Sequence, residues 1–480
     1  MNDSLRKCLL LLCISSGLLC ATQAQELIDF QLKGSFTQQQ LALQYGPLVQ
    51  NGVRLYKLRY TTLDVQGVPD TASGLLIVPI RSASQALPLL CAMHGTVDSR
   101  NDVPSNLQGG YELGVVFGGL GYVTAMPDYL GLGDSRGFHP YVHAASEASA
   151  GVDMLFAARM YAAQQGLLLN EQVFVTGYSQ GGHAAMALHQ TLEQDYPDDF
   201  SVTAAAPLSG PYSISTVMRS LILGEAPYNF VAYVPYTLLS YDLAYGLFER
   251  IEDAFKEPYA AWIKEFRQEG ITLSTLNERL IMQLTQDVGA PIARYMFQDS
   301  VLNEVATNLE HPFNIALSNN DTYRWAPIAP TRLFYCQADD QVPFRNSVVA
   351  DSVMNLLGAV DVLSNDVNPM ADHGGCVFPA VLNTVLFFAA YQQITTSVAT
   401  RKYDDVLDVY PNPAREVLFI RNAPDQAFAQ LFDSSGRLQR STQLQNGDSY
   451  LNISGLKNGL YVLRLTTAAG IQTGKVLISQ

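Results

Sequence analysis

The stretch Val173-Phe174-Val175-Thr176-Gly177-Tyr178-Ser179-Gln180-Gly181-Gly182 decides the expected fold. Its first four residues are apolar or β-branched and predict a buried strand, and a helical pattern begins at His183. The Gly-x-Ser-x-Gly motif lies at the junction. Because a Cβ atom at either flanking glycine would collide with the neighbouring strand and helix, the motif predicts a sharp turn that presents Ser179 above the sheet edge. An ordinary glycine-rich turn is the simpler alternative.

Short apolar runs alternate with helical patterns from residue 75 to about residue 394. Nearly continuous apolar strands separated by helices are typical of a parallel sheet that is covered on both faces. The predicted strands are Leu75–Val78, Leu87–Met93, Tyr122–Met126, Val173–Thr176, Val202–Leu208, Arg332–Cys336 and Ala359–Leu363. The predicted helices are Ala144–Gln165, His183–Gln194, Phe344–Leu357 and Phe378–Gln393. We therefore expect an α/β fold with a mostly parallel sheet.

Two regions depart from this pattern. The strand signal stops between Gly210 and Trp325, where helix formers and tyrosines dominate, so a helical insertion is expected over about residues 211–325. Residues 404–480 instead contain short strand-like runs separated by turn signals such as Lys457-Asn458-Gly459, which predicts a small all-β sandwich. This second region contains no recognisable catalytic constellation.

The composition excludes several classes of protein. The 480 residues are 48% apolar and 15% charged, so the chain has enough apolar surface to offset its conformational entropy and is not disordered. Lys and Arg number 29 against 44 Asp and Glu, which gives a net charge of −15. This sign is wrong for a protein that binds a polyanion by neutralising phosphates. A nucleic-acid partner is therefore not expected.

Residues 1–24 are expected to lie outside the fold. Arg6 and Lys7 precede an apolar run from Leu9 to Cys20, and the small residue Ala24 stands at the expected cleavage site. This order is typical of a secretory signal peptide. The apolar run has about 12 residues, whereas a helix that crosses a bilayer needs about 20. We expect the mature chain to begin near Gln25, and no later segment predicts a membrane span.

A serine becomes a nucleophile when a base takes its proton, and the sequence offers seven histidines as bases. His373 alone follows a late strand-like run just before the last helix, and it is the predicted base. The acid is expected between Ser179 and His373, because α/β folds with such a serine turn carry their catalytic residues in the order serine, acid, histidine along the chain. Asp339 begins an Asp-x-x-Val-Pro pattern after the strand that ends at Cys336, and it is the predicted acid. The alternatives are Asp340, then Asp366 and Asp372.

An oxyanion needs hydrogen-bond donors that are in place before its charge develops. The backbone N–H groups of Thr96, just after the Leu87–Met93 strand, and of Gln180 are the predicted donors. His94 is expected to shape its loop, and Asp128–Gly133 is expected to form a rigid turn beside the pocket. The helix after Ser179 carries His183 and His189, which are expected on its surface or in its packing.

Three of the six cysteines lie after the predicted signal peptide. Cys91 lies within an apolar strand and is expected to be buried. Cys336 and Cys376 both lie near the predicted catalytic residues, and the sequence leaves open whether they form a disulfide.

The ordered set of motifs resembles the secretory lipase family of α/β-hydrolases. The motifs are Gly177–Gly182, His94–Thr96, Pro127–Asp134, Ser209–Tyr212, Asp339–Pro343 and His373. The resemblance covers roughly residues 50–395 and implies a catalytic domain over residues 25–400. It also implies an acyl-serine mechanism on carboxylic esters, with the insertion as a cap over the pocket.

The C-terminal region resembles a type IX secretion sorting domain. The motifs are Val409–Ala414, Leu431–Asp433 with Gly436, Gly459–Tyr461 and Lys475–Ile478. The resemblance implies that residues 404–480 are an address recognised by secretion machinery and often removed by proteolysis. The protein is then expected to pass the periplasm and to be secreted or held on the outer surface of a Gram-negative bacterium. A carbohydrate-binding or adhesive sandwich is the alternative.

These patterns together predict a secreted lipase or esterase that uses Ser179, Asp339 and His373 on a small-molecule or lipid ester. A secreted serine peptidase of the same fold is the alternative, because it uses the same three side chains. A non-catalytic binding protein on a hydrolase scaffold is a further one. No metal or organic cofactor is expected, since no His-Glu-x-x-His or similar ligand spacing occurs.

Overall fold

The structure is a computed structural model that describes residues 26–81, 85–394, 409–423, 427–433, 437–444, 447–467 and 470–479. The chain divides into two compact units, residues 1–397 and 398–480. The predicted signal peptide lies outside the described residues.

One nine-stranded sheet forms the frame of the first unit. Its strands are β1 (Leu27–Phe36), β2 (Val53–Leu63), β3 (Pro69–Pro79), β4 (Leu87–Met93), β5 (Val123–Pro127), β6 (Leu169–Tyr178), β7 (Ser201–Leu208), β8 (Thr331–Tyr335) and β9 (Val362–Asp366). Their order in the sheet is β1-β2-β3-β5-β4-β6-β7-β8-β9. The strands from β5 to β9 pair in parallel, whereas β1, β2 and β3 pair antiparallel. The predicted α/β class with a mostly parallel sheet is confirmed.

Helices cover both faces of this sheet and fill the insertion. They are α1 (Gln38–Tyr45), α2 (Glu112–Gly119), α3 (Ala144–Gln165), α4 (Gln180–Gln194), α5 (Arg219–Leu223), α6 (Tyr233–Tyr245), α7 (Ile251–Ala254), α8 (Tyr259–Arg267), α9 (Leu273–Val288), α10 (Asp299–Thr307), α11 (Pro312–Asn319), α12 (Arg345–Leu356) and α13 (His373–Ala389). Helices α5 to α11 lie between β7 and β8, where the sequence predicts the insertion, and share an apolar core of their own.

Strand β4 shows how the sheet is buried on both sides. All seven of its residues are buried. Leu89 and Cys91 pack in the cluster that contains α3 and α4, while Leu90 and Ala92 pack in the cluster that contains α2 and α13. Successive side chains of a strand point to opposite faces, so a strand covered on both faces needs apolar residues at every position. This burial explains the unbroken apolar run in the sequence.

Two small antiparallel sheets make up the second unit. Their strands are β10 (Val409–Tyr410), β11 (Val417–Ala423), β12 (Phe428–Phe432), β13 (Leu438–Gln443), β14 (Gly447–Asn452), β15 (Gly459–Thr467) and β16 (Gly470–Ile478). The orders are β10-β11-β14 and β13-β12-β15-β16. Leu418 of the first sheet and Leu431 and Leu463 of the second lie in one buried cluster, as in a sandwich.

Several elements differ from the sequence prediction. Strands β1 and β2 were not predicted, and β9 occupies Val362–Asp366 instead of Ala359–Leu363. Both β1 and β9 are edge strands with mostly half-buried or exposed residues, so they lack the apolar run of a central strand. Helix α13 begins at His373 rather than Phe378, because Asp372 caps it by accepting a hydrogen bond of 2.7 Å from the Gly375 N–H.

Candidate active site

Ser179 lies on a strained turn between β6 and α4. Its φ is 62° and its ψ is −121°, which an L-residue rarely adopts. A Cβ atom on Gly177 would overlap the Gly181 carbonyl oxygen, and one on Gly181 would overlap the carbonyl oxygen of Met93 at the end of β4. Only glycine therefore fits these two positions, as the sequence predicts. The turn leaves Ser179 partly exposed, with its side chain at a cavity.

Asp339 and His373 form a short hydrogen bond. Asp339 lies in the loop after β8, and His373 is the first residue of α13. Nδ1 of His373 lies 2.7 Å from Oδ2 of Asp339, and both side chains are almost fully buried. The other carboxylate oxygen of Asp339 accepts hydrogen bonds from the backbone N–H groups of Gln341 (3.0 Å) and Val342 (2.8 Å). The carboxylate is thus held on both sides and fixes the plane of the imidazole.

The backbone of His373 is held as firmly as its ring. Its N–H donates to Oδ1 of Asp340 at 3.1 Å, and its carbonyl accepts from the Tyr178 hydroxyl at 2.6 Å. The Tyr178 ring also lies 5.0 Å, centroid to centroid, from the imidazole. Since Tyr178 directly precedes Ser179, these contacts bring His373 beside the Ser179 turn. Among the described residues, however, no hydrogen bond joins the Ser179 hydroxyl to His373. Such bonds are often long in substrate-free hydrolases.

The structure gives each alternative acid a different contact. Asp340 binds the backbone of His373 and not its ring. Asp366 accepts from the Asn368 N–H at 3.1 Å, and Asp372 caps α13. Of these carboxylates, Asp339 is the one that contacts the imidazole.

A disulfide joins the two segments that carry this pair. Cys336 follows β8 and Cys376 lies one turn into α13, with their Cα atoms 5.8 Å apart. Both cysteines are fully buried. Cys336 lies three positions before Asp339, and Cys376 lies three positions after His373. The pairing that the sequence leaves open is therefore present. Cys91 is free and buried, as predicted.

The two predicted oxyanion donors lie on either side of Ser179. Gln180 is the first residue of α4, and the peptide of Gly95 and Thr96 follows β4. A Cβ atom on Gly95 would lie 3.9 Å from the Ser179 Cβ, so this loop passes directly beside the serine. In the part of the chain that the structure describes, neither the Thr96 N–H nor the Gln180 N–H donates to a protein acceptor. Each of these two N–H groups can therefore donate a hydrogen bond to a further acceptor.

His94 and the turn after β5 form a buried support for the Thr96 loop. The Tyr129 hydroxyl donates to the His94 carbonyl at 2.9 Å, and the two rings lie 4.1 Å apart. Asp128 accepts from the Ser73 hydroxyl (2.5 Å) and the Ser105 N–H (2.9 Å). Burial raises the pKa of Asp128 and lowers the pKa of His94. These contacts agree with the expected loop and turn roles.

The cavity beside Ser179 is mostly apolar. Its volume is about 40 Å³. The lining residues that belong to the insertion are Pro211, Ile214, Met218, Leu221, Ile222, Tyr228, Tyr233, Val234 and Thr237. The insertion also contacts the loop that carries Asp339, since the hydroxyl groups of Tyr228 and Tyr233 donate to Gln341. Typical ligand pockets measure about 300–1,000 Å³, so this cavity is smaller than the pocket of a drug-sized ligand.

The sequence did not single out three residues that the structure places here. They are Tyr178, which contacts His373, and Glu147 and His139, which contact Gln180. His183 and His189 are fully buried and bonded to Glu147 and Glu193, so the expectation of packing is right and that of the helix surface is wrong. No local pattern in α3 marks Glu147, because its partners follow it by 33 residues or more.

Other kinds of site were also considered. Within the described ranges, no three His, Cys, Asp or Glu side chains lie close enough to hold a metal ion. No described helix is long and apolar enough to cross a membrane.

The parallel sheet, the strand–serine–helix turn and the helical insertion before β8 define the α/β-hydrolase class. Solved hydrolases resemble this chain. A candidate hydrolase from Legionella pneumophila has a TM-score of 0.68 and 28% identity, over 76% of this chain and 98% of that one. The rice cell wall degrading esterase LipA from Xanthomonas oryzae has a TM-score of 0.65 and 26% identity, over 76% and 95%. Candida antarctica lipase A in its closed state shares the fold, with a TM-score of 0.58 and 15% identity over 76% and 81%.

The second unit has its own match. Residues 408–479 match the family model described as a secretion system C-terminal sorting domain. This domain is the address of type IX secretion, so the protein is secreted or delivered to the outer surface. A comparison with curated protein sequences finds no match for the chain.

Proposed function

We propose that this chain is a secreted serine hydrolase that cleaves carboxylic esters through an acyl intermediate on Ser179. The observation that carries the proposal is the 2.7 Å hydrogen bond between His373 Nδ1 and Asp339 Oδ2, held beside the Ser179 turn. With Nδ1 donating its proton to a buried carboxylate, the other ring nitrogen, Nε2, is an acceptor. It can take the proton of the serine hydroxyl.

The first half of the reaction forms the acyl-enzyme. Ser179 Oγ attacks the ester carbonyl carbon while Nε2 of His373 accepts the hydroxyl proton. The carbonyl oxygen gains the negative charge, and the N–H groups of Thr96 and Gln180 stabilise it, each by about 3 kcal/mol. Asp339 stabilises the imidazolium that forms. His373 then gives its proton to the departing alcohol as the tetrahedral intermediate collapses.

The second half releases the acid. A water molecule takes the place of the alcohol and gives a proton to His373 as it attacks the acyl carbon. The second tetrahedral intermediate uses the same two N–H donors. Its collapse breaks the bond to Ser179 Oγ, and His373 returns the proton to that oxygen. Every group then has its starting proton, so the residues of this chain complete the cycle.

Two observations favour an ester over a peptide bond. The cavity beside Ser179 is lined chiefly by apolar side chains of the insertion, such as Met218 and Leu221, which suit an acyl chain. The LipA structure, 26% identical, is described as an esterase. We infer that the substrate carries an apolar acyl group. The partner of the C-terminal sorting domain is the secretion machinery of the cell that makes the protein.

A Ser179→Ala variant tests the proposal. Purified wild type is expected to hydrolyse p-nitrophenyl butyrate and to react covalently with a fluorophosphonate probe, and the variant is expected to do neither. Aminoacyl and dipeptidyl p-nitroanilides serve as amide substrates in parallel. Amide turnover well above ester turnover would make the chain a peptidase. Ester turnover that persists in the folded variant would remove Ser179 from the mechanism.

A further inference from the structure

A buried carboxylate lies directly behind the nucleophile turn, and the proposed chemistry does not use it. Glu147 of α3 has 1% of its surface exposed. Its Oε2 lies 2.6 Å from Nδ1 of His183, and its Oε1 accepts a hydrogen bond of 2.9 Å from Nε2 of Gln180. Both partners belong to the first turn of α4, which begins right after Ser179. A buried charge is costly unless it is paired and hydrogen-bonded, and both oxygens of Glu147 are.

The side chain of Gln180 is held at two acceptors. Its Nε2 donates to Glu147 and also contacts Nε2 of His139 at 2.9 Å. His139 donates from Nδ1 to the Leu130 carbonyl at 2.8 Å, so its Nε2 is the acceptor of the pair. Burial lowers the pKa of His139 to about 3, which keeps the ring neutral. The donor and acceptor pattern therefore permits one orientation of the Gln180 amide.

The charge of Glu147 is balanced within the same network. Nε2 of His183 lies 2.9 Å from the Asn320 carbonyl, which can only accept, so this nitrogen carries a proton. Burial by itself lowers the pKa of His183, but the Glu147 carboxylate and the Asn320 carbonyl outweigh it and raise the pKa, which favours a proton on both ring nitrogens and a pair that is neutral overall. An anchor of this kind adds no net negative charge beside an oxyanion that forms at the adjacent peptide.

We propose that Glu147 is a positioning residue that anchors the Gln180 side chain and so keeps the Gln180 backbone N–H aimed at the oxyanion. The inference rests on the proposed function, because it concerns a donor of the proposed oxyanion site. Its physical basis is that a donor stabilises a transition state only if it is already in place. The Gln180 N–H lies in the first turn of its helix and has no intrahelical partner, and the bonds from the Gln180 side chain to Glu147 and His139 hold this residue in place.

The same helix offers a matched control. His189 is fully buried and lies 2.8 Å from Glu193. This second His–Glu pair lies in the C-terminal half of α4 and does not contact Gln180. Glu147→Met and Glu193→Met each remove one His–Glu pair, but only the first removes the anchor of Gln180. Glu193 also accepts from the backbone N–H groups of Ile328 and Ala329, so Glu193→Met removes no fewer hydrogen bonds than Glu147→Met. Glu147→Gln keeps an acceptor for Gln180 and a donor for a neutral His183, and it is the conservative variant.

The experiment measures kcat and KM for p-nitrophenyl butyrate, with active sites counted by a fluorophosphonate. Glu147→Met is expected to lower kcat about 10- to 100-fold, less than the loss of a whole oxyanion donor, with KM within about twofold. Glu147→Gln is expected to restore most of this loss, and Glu193→Met to leave kcat within about threefold of wild type. A boronic acid inhibitor mimics the tetrahedral intermediate when it binds the serine. Of these three variants, only Glu147→Met is expected to lose affinity for it in proportion to its loss of kcat.

Three outcomes would overturn the inference. One is a folded Glu147→Met enzyme with unchanged kcat, and another is an equal loss of kcat in Glu193→Met, which indicates a purely structural role. If Glu147→Met does not fold, Gln180→Met removes the same anchor and keeps the backbone N–H of residue 180. The third outcome that would overturn the inference is an unchanged kcat in Gln180→Met. Wild type without Ser179-dependent ester turnover would instead refute the proposed function itself, and the inference with it.

Discussion

Replacing Asp339 by Asn tests the geometry of the candidate site most directly. Oδ1 of Asp339 accepts two backbone N–H groups, and Oδ2 faces Nδ1 of His373. An asparagine amide has one oxygen, and the two N–H groups require it. The NH2 group must then face Nδ1, which becomes an acceptor and leaves the ring proton on Nε2. That is the atom that has to take the proton of Ser179.

The expected loss follows from this change of tautomer. In serine hydrolases such a substitution lowers kcat by a factor on the order of 10⁴. At about 1.36 kcal/mol for each factor of ten, this is about 5.4 kcal/mol of transition-state stabilisation. The isosteric side chain keeps the fold, so KM and the urea unfolding midpoint are expected to change little.

Asp340→Asn is the matched control for this experiment. Asp340 accepts from the His373 N–H, and an asparagine oxygen in its place can still accept that bond. We expect kcat to fall less than about tenfold, because a charge-assisted bond becomes a neutral one. The assay compares kcat of both variants on p-nitrophenyl butyrate at pH 8, per titrated active site. A loss below tenfold in Asp339→Asn, or a larger loss in Asp340→Asn, would refute the reasoning.

Three further predictions concern the surroundings of the site. The double variant Cys336→Ser/Cys376→Ser opens a link across 40 residues, and its free energy of unfolding in urea is expected to be about 4 kcal/mol lower; an unchanged midpoint would contradict this. Met218→Trp fills the apolar cavity and is expected to lower kcat/KM for an octanoyl ester at least about tenfold more than for an acetyl ester; equal losses would place the acyl chain elsewhere. Burial holds the pKa of His139 at about 3, so the unfolded chain binds the extra proton as pH falls below about 6.5, and stability is lost by up to about 1.4 kcal/mol per pH unit. The free energy of unfolding of His139→Asn is expected to fall less steeply than that of wild type between pH 7 and pH 5. Parallel curves of unfolding free energy against pH for the two proteins would contradict this role of His139.

The central strands and the turn at Ser179 could be predicted because their signals are local. A strand buried on both faces is apolar at every position, as β4 is, and Gly177 and Gly181 are required by overlaps within the turn itself. Helix α3 was predicted with its observed bounds, Ala144–Gln165. The catalytic roles of Ser179, Asp339 and His373 stay predictions, and so do the boundaries of the domains.

Features that depend on contacts between distant segments could not be predicted. Glu147 lies in an ordinary helical pattern, and only the packing of α3 on α4 brings it to Gln180. Edge strands such as β1 tolerate polar residues, so no periodic signal marks them. The pairing of Cys336 with Cys376 depends on a Cα distance of 5.8 Å between a strand end and a helix start, which sequence spacing does not reveal.

The Cys336–Cys376 bond depends on the compartment in which the chain folds. Cytosolic thiols are kept reduced, whereas disulfides form in the bacterial periplasm. A newly synthesised chain therefore has no covalent tether between the loop of Asp339 and the helix of His373 until it has left the cytosol.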